Sequence, residues 1–273
     1  MSSSINQITD TIWEYADDPS IISQNILKLD VCIFCKTALS RALQNDWEPK
    51  PNLLECDNTT VQLCRNCGWW TGHRYEKKAT DLPFSTDWTW GSYGILKNLN
   101  LQDISTPIGV LRDYLAASYK MRNNVHPLLM EETVASIFKD IGYKVQLTAY
   151  SGDDGIDVIL SNGTEQIGVQ VKRYKNTIKA EQIRSFVGAL IINGLTKGVF
   201  VTTSKFTRGA KKTAEISLIR GYPIKLINAY QLYDVLEIAQ TKVNRTPEEW
   251  LKIVRPRLKL LESRNYMETY YLK

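Results

Sequence analysis

The stretch Ile156-Asp157-Val158-Ile159-Leu160-Ser161-Asn162-Gly163-Thr164-Glu165-Gln166-Ile167-Gly168-Val169-Gln170-Val171-Lys172 decides the fold of this chain. Two β-branched runs flank Asn162-Gly163, the dipeptide best suited to a two-residue hairpin turn because both positions tolerate positive φ. The pattern predicts a strand over 156–160 and a return strand over about 166–174. Side chains alternate along a strand, so Ile156, Val158 and Leu160 share one side and Asp157 and Ile159 the other. On the return strand Val169 and Val171 face the core, and Gln170 and Lys172 share the opposite side. Such a hairpin brings Asp157, Gln170 and Lys172 together at one sheet edge.

Working outward, a strand is expected over 143–150, followed by a Ser-Gly-Asp-Asp-Gly turn in which Asp153 and Asp154 act as turn formers. Before it, Met130, Val134, Ile137, Phe138 and Ile141 recur at helical spacing and stop at Gly142. After the hairpin come a helix carrying Ile183, Phe186, Val187, Leu190 and Ile191, a β-rich run over 198–204, and a helix over about 207–220. A short strand over 224–227 and a helix near 230–238 complete the order. Helices alternating with strands in this way predict an α/β fold, a mixed sheet flanked by helices.

Thr106-Pro107 opens a further helix, with Leu111, Leu115 and Tyr119 on one face. Thr246-Pro247-Glu248-Glu249 is a capping box that starts a helix in the tail, where Trp250, Ile253, Leu258 and Leu261 are the packing residues. The expected divisions are an N-terminal region 1–105, a helical linker 106–125, the α/β domain 126–240 and a helical tail 241–273. Residues 76–104 show no clear periodicity.

Composition sets wide bounds. The chain has 273 residues, 43% of them hydrophobic, enough for two domains. A net charge of +5 permits a polyanionic partner without demanding one. No basic-then-apolar leader opens the sequence, and no apolar run approaches the roughly 20 residues that cross a bilayer. The five cysteines all fall within 32–67. That distribution does not suit a secreted disulfide framework and points to a reducing cytoplasm.

Those cysteines carry their own chemistry. Cys32-Ile-Phe-Cys35 and Cys64-Arg-Asn-Cys67-Gly68 are two Cys-x-x-Cys pairs with 28 residues between them. Each pair can occupy two adjacent corners of a tetrahedron, so together they predict a structural Zn²⁺ site in a small ribbon at about 28–75. Redox-active pairs usually sit in a thioredoxin-like βαβ setting, which is missing here. Cys56 is left as a free or buried thiol, and His73 is an outside candidate ligand. Trp69, Trp70, His73 and Arg74 suit either DNA contact or packing, with packing favoured; the same choice holds for Trp88, Trp90 and Tyr93.

The hairpin trio suits a hard divalent cation. Asp157 offers a charged oxygen and Gln170 a neutral amide oxygen, as Mg²⁺ or Mn²⁺ requires. Lys172 would orient a water or offset phosphate charge. Glu131 lies at the edge of the apolar helix face and so is the better inward-looking carboxylate, whereas Glu132 aligns with the polar face. Alone, the pattern is also ordinary hairpin chemistry.

The residues around it form a larger pattern. Tyr150-Ser-Gly-Asp-Asp-Gly-Ile-Asp157, Val169-Gln-Val-Lys-Arg-Tyr174, Phe186-Val-Gly-Ala-Leu190 and Lys197-Gly-Val-Phe-Val-Thr-Thr-Ser204 with Phe206 resemble the core of the Mrr-like (type IV) restriction endonucleases. These belong to the PD-(D/E)XK nuclease superfamily, and the resemblance spans about 126–240. It implies a restriction-endonuclease-like fold, with the family's metal-binding Asp at Asp157, its Gln or Glu and Lys at Gln170 and Lys172, and its helical Glu at Glu131. Met130 stands where the family usually has Phe. Gln in place of Glu is usual for this branch and makes a weaker metal ligand.

The resemblance further implies Mg²⁺-dependent cleavage of double-stranded DNA in restriction or defence, by a homo-oligomer with a dimer as first guess. Beside such a site, Lys205, Arg208, Lys211 and Lys212 read as phosphate contacts, with Arg173 and Lys175 contributing. A repair or junction nuclease would share the site, whereas a non-catalytic DNA- or protein-binding module would not need the trio.

Overall fold

The computed structural model describes residues 12–20, 29–45, 55–79, 84–148, 155–163, 165–240 and 246–267. The chain separates into two units, one made of Met1–Asn98 with Val243–Lys273 and the other of Leu99–Lys242. The first unit is built on β1 (Trp13–Ala16), β2 (Ser40–Asn45), β3 (Cys56–Leu63), β4 (Trp70–Ala79) and β5 (Phe84–Leu96), in the antiparallel order β1-β5-β4-β3-β2. β5 falls within the 76–104 stretch that shows no periodicity. Its side chains are at least half-buried on both faces over most of its length, which erases the alternation a half-solvated strand would show.

In the second unit, α1 (Ile108–Ala117) and a 3₁₀ turn over Tyr119–Asn124 lead to α2 (Pro127–Asp140). The sheet then forms from β6 (Lys144–Leu147), β7 (Val158–Asn162) and β8 (Glu165–Lys172), followed by α3 (Ala180–Ile192), β9 (Lys197–Thr202), α4 (Arg208–Ile219), β10 (Ile224–Ile227) and α5 (Ala229–Gln240). The fold is the expected α/β arrangement. Strand order is β10-β9-β8-β7-β6, with β6, β7 and β8 antiparallel and β8, β9 and β10 parallel.

Helices cover both faces of this sheet. α2 packs on β6, β7 and β8, and α5 on β9 and β10, with α1 against both helices. On the other face α3 meets β9 and α4 meets β10. There Phe186, Phe200 and Phe206 pack edge to face at 5.5 and 5.9 Å between ring centres, inside a core with Ile156, Ile183, Leu190 and Leu195. The expected hairpin supplies β7 and the central strand β8 of this sheet. Parallel crossovers place helices on both faces of a sheet, and the pairing of β8 with β9 makes β8 the middle strand.

The chain then returns to the first unit. α6 (Pro247–Val254) starts with the capping box: Thr246 Oγ1 accepts from Glu249 N, and a Glu249 carboxylate oxygen accepts from Thr246 N at 2.8 Å. Leu251, Val254 and Leu258 pack against Ala42, Val61, Leu63 and Trp70. Beyond them the expected helical tail becomes a strand, β11 (Lys259–Met267), which pairs antiparallel with β5 from Gly91 to Phe84. β5 is long enough to hold β1 and β11 end to end along one side; its free backbone groups there supply the partner that turns the tail into a strand.

One buried acid should make the second unit's stability depend on pH. On α1, burial pushes the Asp113 carboxyl up from 3.8 to about 6, partly offset by the Gln240 amide and the Arg112 charge. A raised carboxyl means the folded unit binds the proton more tightly than the unfolded chain. The cost of burying the charge is thus absent below pH 3.8, grows as pH rises, and is complete above about 6. We expect Asp113→Asn to raise the melting temperature at pH 7.5 but not at pH 4; an equal gain at both would assign the effect elsewhere.

Candidate active site

Asp157 sits where the β7–β8 ladder opens. Its N–H donates to Val169 O at 2.8 Å, and one position further Val171 N donates to Asp157 Oδ2 at 2.6 Å. A carboxylate has taken the place of the next ladder carbonyl. The side chain is thereby fixed by a backbone donor while remaining only 7% exposed. From the far side, Thr148 N donates to Asp157 O and Thr148 Oγ1 to Ile156 O, tying the end of β6 to the same point.

Gln170 is 7% exposed, and its amide has no hydrogen-bond partner among the described residues. It approaches Gly155, whose φ of 83° is open to glycine at little cost. A Cβ there would lie 3.4 Å from Gln170 Nε2 and 3.1 Å from the Ala189 methyl. Lys172 is half-buried at the end of β8, and its ammonium forms no ion pair among the described residues. Its carbonyl is held by Thr202 Oγ1 at 2.9 Å and by Thr203 N at 3.2 Å. The acidic turn at 151–154 lies outside the described residues.

Topology gathers the remaining groups at this end of the sheet. β6 runs parallel to β8, because each is antiparallel to β7. α2 feeds into β6 through a tight turn and therefore runs the opposite way, with its N-terminal half at the Asp157 end. Glu131 lies there, half-buried, as is Glu132, so exposure does not separate the two. α4 likewise starts at this end, since it runs back from the C-terminal end of β9. Thr207 caps it by accepting from Ala210 N at 3.2 Å. The oxygen set of Asp157, Gln170 and Glu131 has the chemistry that a hard divalent cation takes.

The expected basic stripe is less uniform than its spacing suggests. Lys205 precedes the helix and lies over the Tyr230 ring at 5.7 Å. Arg208 and Lys212 are exposed one turn apart on α4, while Lys211 borders the groove between α4 and β10 beside Glu215. Arg173 is half-buried and donates from Nη1 to Asn123 O at 2.5 Å. Arg122 and Asn123, in the 3₁₀ turn, are neighbours of the site that the sequence did not mark. A 3₁₀ turn gives no periodicity to read, and Arg122 has no charged neighbour at helical spacing.

In the first unit Cys32, Cys35, Cys64 and Cys67 converge, with all four Sγ atoms within 4.8 Å of one another. Sγ separations of 3.3, 3.6 and 3.7 Å rule out disulfides and approach the roughly 3.8 Å edge of a tetrahedron with metal–sulfur bonds of about 2.3 Å. Left to one another, the thiols cannot all ionise. Cys35, hydrogen-bonded first to Cys32, is held below the usual thiol range, and Cys64 and Cys67 are pushed above it. A cation resolves that conflict.

The two knuckles match. Lys36 N donates to Cys32 O and Gly68 N to Cys64 O, and both residues following the second cysteine take positive φ, 64° and 73°. Trp69 and Trp70 are fully buried and Arg74 forms a bidentate pair with Asp57, so packing claims all three. His73 stands apart from the cluster on β4, and burial lowers its pKa.

Residues 122–236 match the restriction endonuclease family Mrr_cat. Over 99 residues the chain is 35% identical to the type IV methyl-directed restriction enzyme EcoKMrr of Escherichia coli K12, covering 33% of this chain and 33% of the enzyme. Over 102 residues it is 29% identical to the uncharacterized protein y4cE of Sinorhizobium fredii NGR234, covering 33% of this chain and 26% of that protein. The chain thus spans about a third or less of the length of these relatives, and the likeness lies in the second unit.

Gly155 is the point at which this site can be tested without touching a polar group. Gly155→Ala places a Cβ in a left-handed conformation against Ala189 and Gln170, which should cost about 1–2 kcal/mol. Urea unfolding followed by far-ultraviolet circular dichroism should show the loss. Unchanged stability would mean that the turn is not conformationally constrained.

Proposed function

We propose that this protein, whose residues 122–236 are a restriction endonuclease domain of the Mrr_cat family, is a Mg²⁺-dependent endonuclease that cuts double-stranded DNA in restriction or defence. The observation that carries this reading is Asp157 fixed by Val171 N–H beside the uncommitted Gln170 amide and Lys172 ammonium. The Gln170 amide, 7% exposed and without a hydrogen-bond partner among the described residues, keeps its oxygen available to a ligand. A structural hairpin has no use for that arrangement, which also argues against a non-catalytic binding module.

Asp157, Gln170 and Glu131 would hold the divalent ion. When bound, the ion would supply positive charge to the scissile phosphate and acidify the attacking water. Val171 N–H holds one oxygen of Asp157 and so fixes the orientation of its carboxylate. Gln170 adds a neutral oxygen, which keeps the site from accumulating negative charge where a phosphate must approach. Lys172 offsets charge on the phosphate as water adds to phosphorus and the bond to the leaving sugar oxygen breaks. Lys205, Arg208, Lys211 and Lys212 would steer the backbone toward this end of the sheet, aided by the positive N-terminus of α4. Cutting both strands with one site per chain implies a homodimer. A cytoplasmic location accords with the unpaired thiols.

Asp157→Ala and Lys172→Ala should each lower Mg²⁺-dependent plasmid cleavage by at least about 10²-fold, the scale on which a group stabilising transition-state charge is worth keeping. Methylated and unmethylated plasmids belong in the same assay, because the Escherichia coli relative is described as methyl-directed. Variants that cut as well as the parent protein would remove these residues from the site.

We also assign Zn²⁺ to Cys32, Cys35, Cys64 and Cys67, in a structural role because four thiolates leave no position for water. All seven tryptophans lie in the first unit, and Trp13 Nε1 donates to Cys67 O at 3.2 Å. Chelation under denaturing conditions should release one Zn²⁺ per chain, and Cys64→Ser should shift the tryptophan emission to the red. Zinc content unchanged by Cys64→Ser would contradict the assignment.

A further inference from the structure

Two half-buried cations beside the site lack counter-charges. Arg122 Nε donates to Thr203 O at 2.9 Å and Nη1 to Tyr119 O at 3.2 Å, with the guanidinium over the Tyr119 ring at 4.9 Å. Arg173 donates from Nη1 to Asn123 O at 2.5 Å. Neither forms an ion pair among the described residues. Arg173 Nε and Asn123 Oδ1 are buried with no hydrogen-bond partner.

The contacts form a reciprocal clasp. The 3₁₀ turn reaches through Arg122 to the end of β9, and the end of β8 reaches through Arg173 back to the 3₁₀ turn. Both ends adjoin Lys172: Arg173 follows it in sequence, and Thr203 N donates to its carbonyl. The carbonyl partners fix both guanidinium planes but neutralise nothing. Nη2 of each arginine is left over among the described residues, a donor pair suited to an oxyanion. Holding two half-buried cations on one turn and the strand ends it joins, with no acidic partner among the described residues, is unfavourable and suits an anionic ligand.

On the premise that this is a DNA nuclease, we infer that Arg122 and Arg173 together bind a backbone phosphate adjacent to the one being cleaved. They are positioning residues, and they set where the strand crosses Asp157 and Lys172. Arginine suits the geometry, because its planar fork can hold a carbonyl with one nitrogen and present another to a phosphate. The bland alternative is that the clasp only fastens the 3₁₀ turn to the sheet.

The test uses the full chain carrying Asp157→Ala, so that duplex DNA binds without being cut. Affinity for a short fluorescent duplex is measured by anisotropy across 50–300 mM KCl, an interval over which counterion release makes log Kd linear in log salt. Arg122→Gln and Arg173→Gln should each weaken binding, and the double Gln variant should lower that slope by about 1, the signature of one lost phosphate contact. Arg122→Lys should keep the slope, because it keeps the charge. Lys197→Ala, which removes an exposed cation at the opposite end of the sheet, should change neither.

An unaltered slope in the double Gln variant, whatever its melting temperature, would leave the clasp purely structural and overturn the inference. The Lys variant guards against a variant that fails to fold, since it must bind with the parent's slope if the charge matters. A parent protein with no salt-dependent duplex binding would instead bring down the nuclease reading itself.

Discussion

The hydrogen bond from Val171 N–H to the Asp157 carboxylate is the contact on which the site depends. A β-ladder normally spends every backbone donor on a carbonyl, leaving nothing to hold a side chain in one orientation. Here β7 and β8 part after Val158↔Val169, and the freed N–H of Val171 is satisfied by the carboxylate at 2.6 Å. The same contact closes the ladder and aims the acid. It holds only while the chain before Asp157 stays out of register, which the left-handed Gly155 and the bonds from Thr148 secure. The position of Gln170 depends on that turn as well, since Gly155 leaves the space its amide occupies.

The parallel half of the sheet converts this local device into a site. Because β8 and β9 run parallel, their carboxyl ends come out together, and the helix that follows β9 begins at that end. The antiparallel half brings α2 in from the same side. Acidic, amide and ammonium groups are thus carried by elements that share one end of the sheet, where open α/β sheets place their ligands. None of these groups needs to be close to another in sequence. The order of strands and helices fixes their convergence.

Much of this was legible from the residues. Asn162-Gly163 between two β-branched runs specified the hairpin, and period-2 alternation placed Gln170 and Lys172 on one side of β8. Helical spacing found α2, α3, α4 and α5. The surroundings of the hairpin were not legible: β8 is central because it pairs with β9, a long-range event that local pattern does not encode. β5 escaped notice for a related reason, since contacts on both faces removed its alternation. The tail was read as helix from its capping box, which is correct as far as Val254; the strand after it exists because β5 offers an unpaired edge. Arg122 was invisible, because its partners are main-chain carbonyls, which carry no residue identity.

The arginines show how this end of the sheet differs from the rest of the molecule. Elsewhere, several buried or half-buried arginines meet acidic partners. Arg112 meets Asp140 at 2.6 Å, and Arg74 and Arg255 share Asp57 at 2.7 and 2.8 Å. Those pairs cost little on balance, since each desolvated charge has its opposite at contact distance. Around Lys172 the pattern reverses: Lys172, Arg122 and Arg173 stand at the ends of β8 and β9 with carbonyls or nothing as partners. If stability alone had shaped this end, apolar residues or acidic partners would serve it better. A polyanion that arrives with its own negative charge reverses that balance, because each unpaired cation then gains a partner at the moment of binding. On the proposed reading, the cost of leaving these cations without acidic partners is recovered when the polyanion binds, at the end of the sheet that carries Asp157.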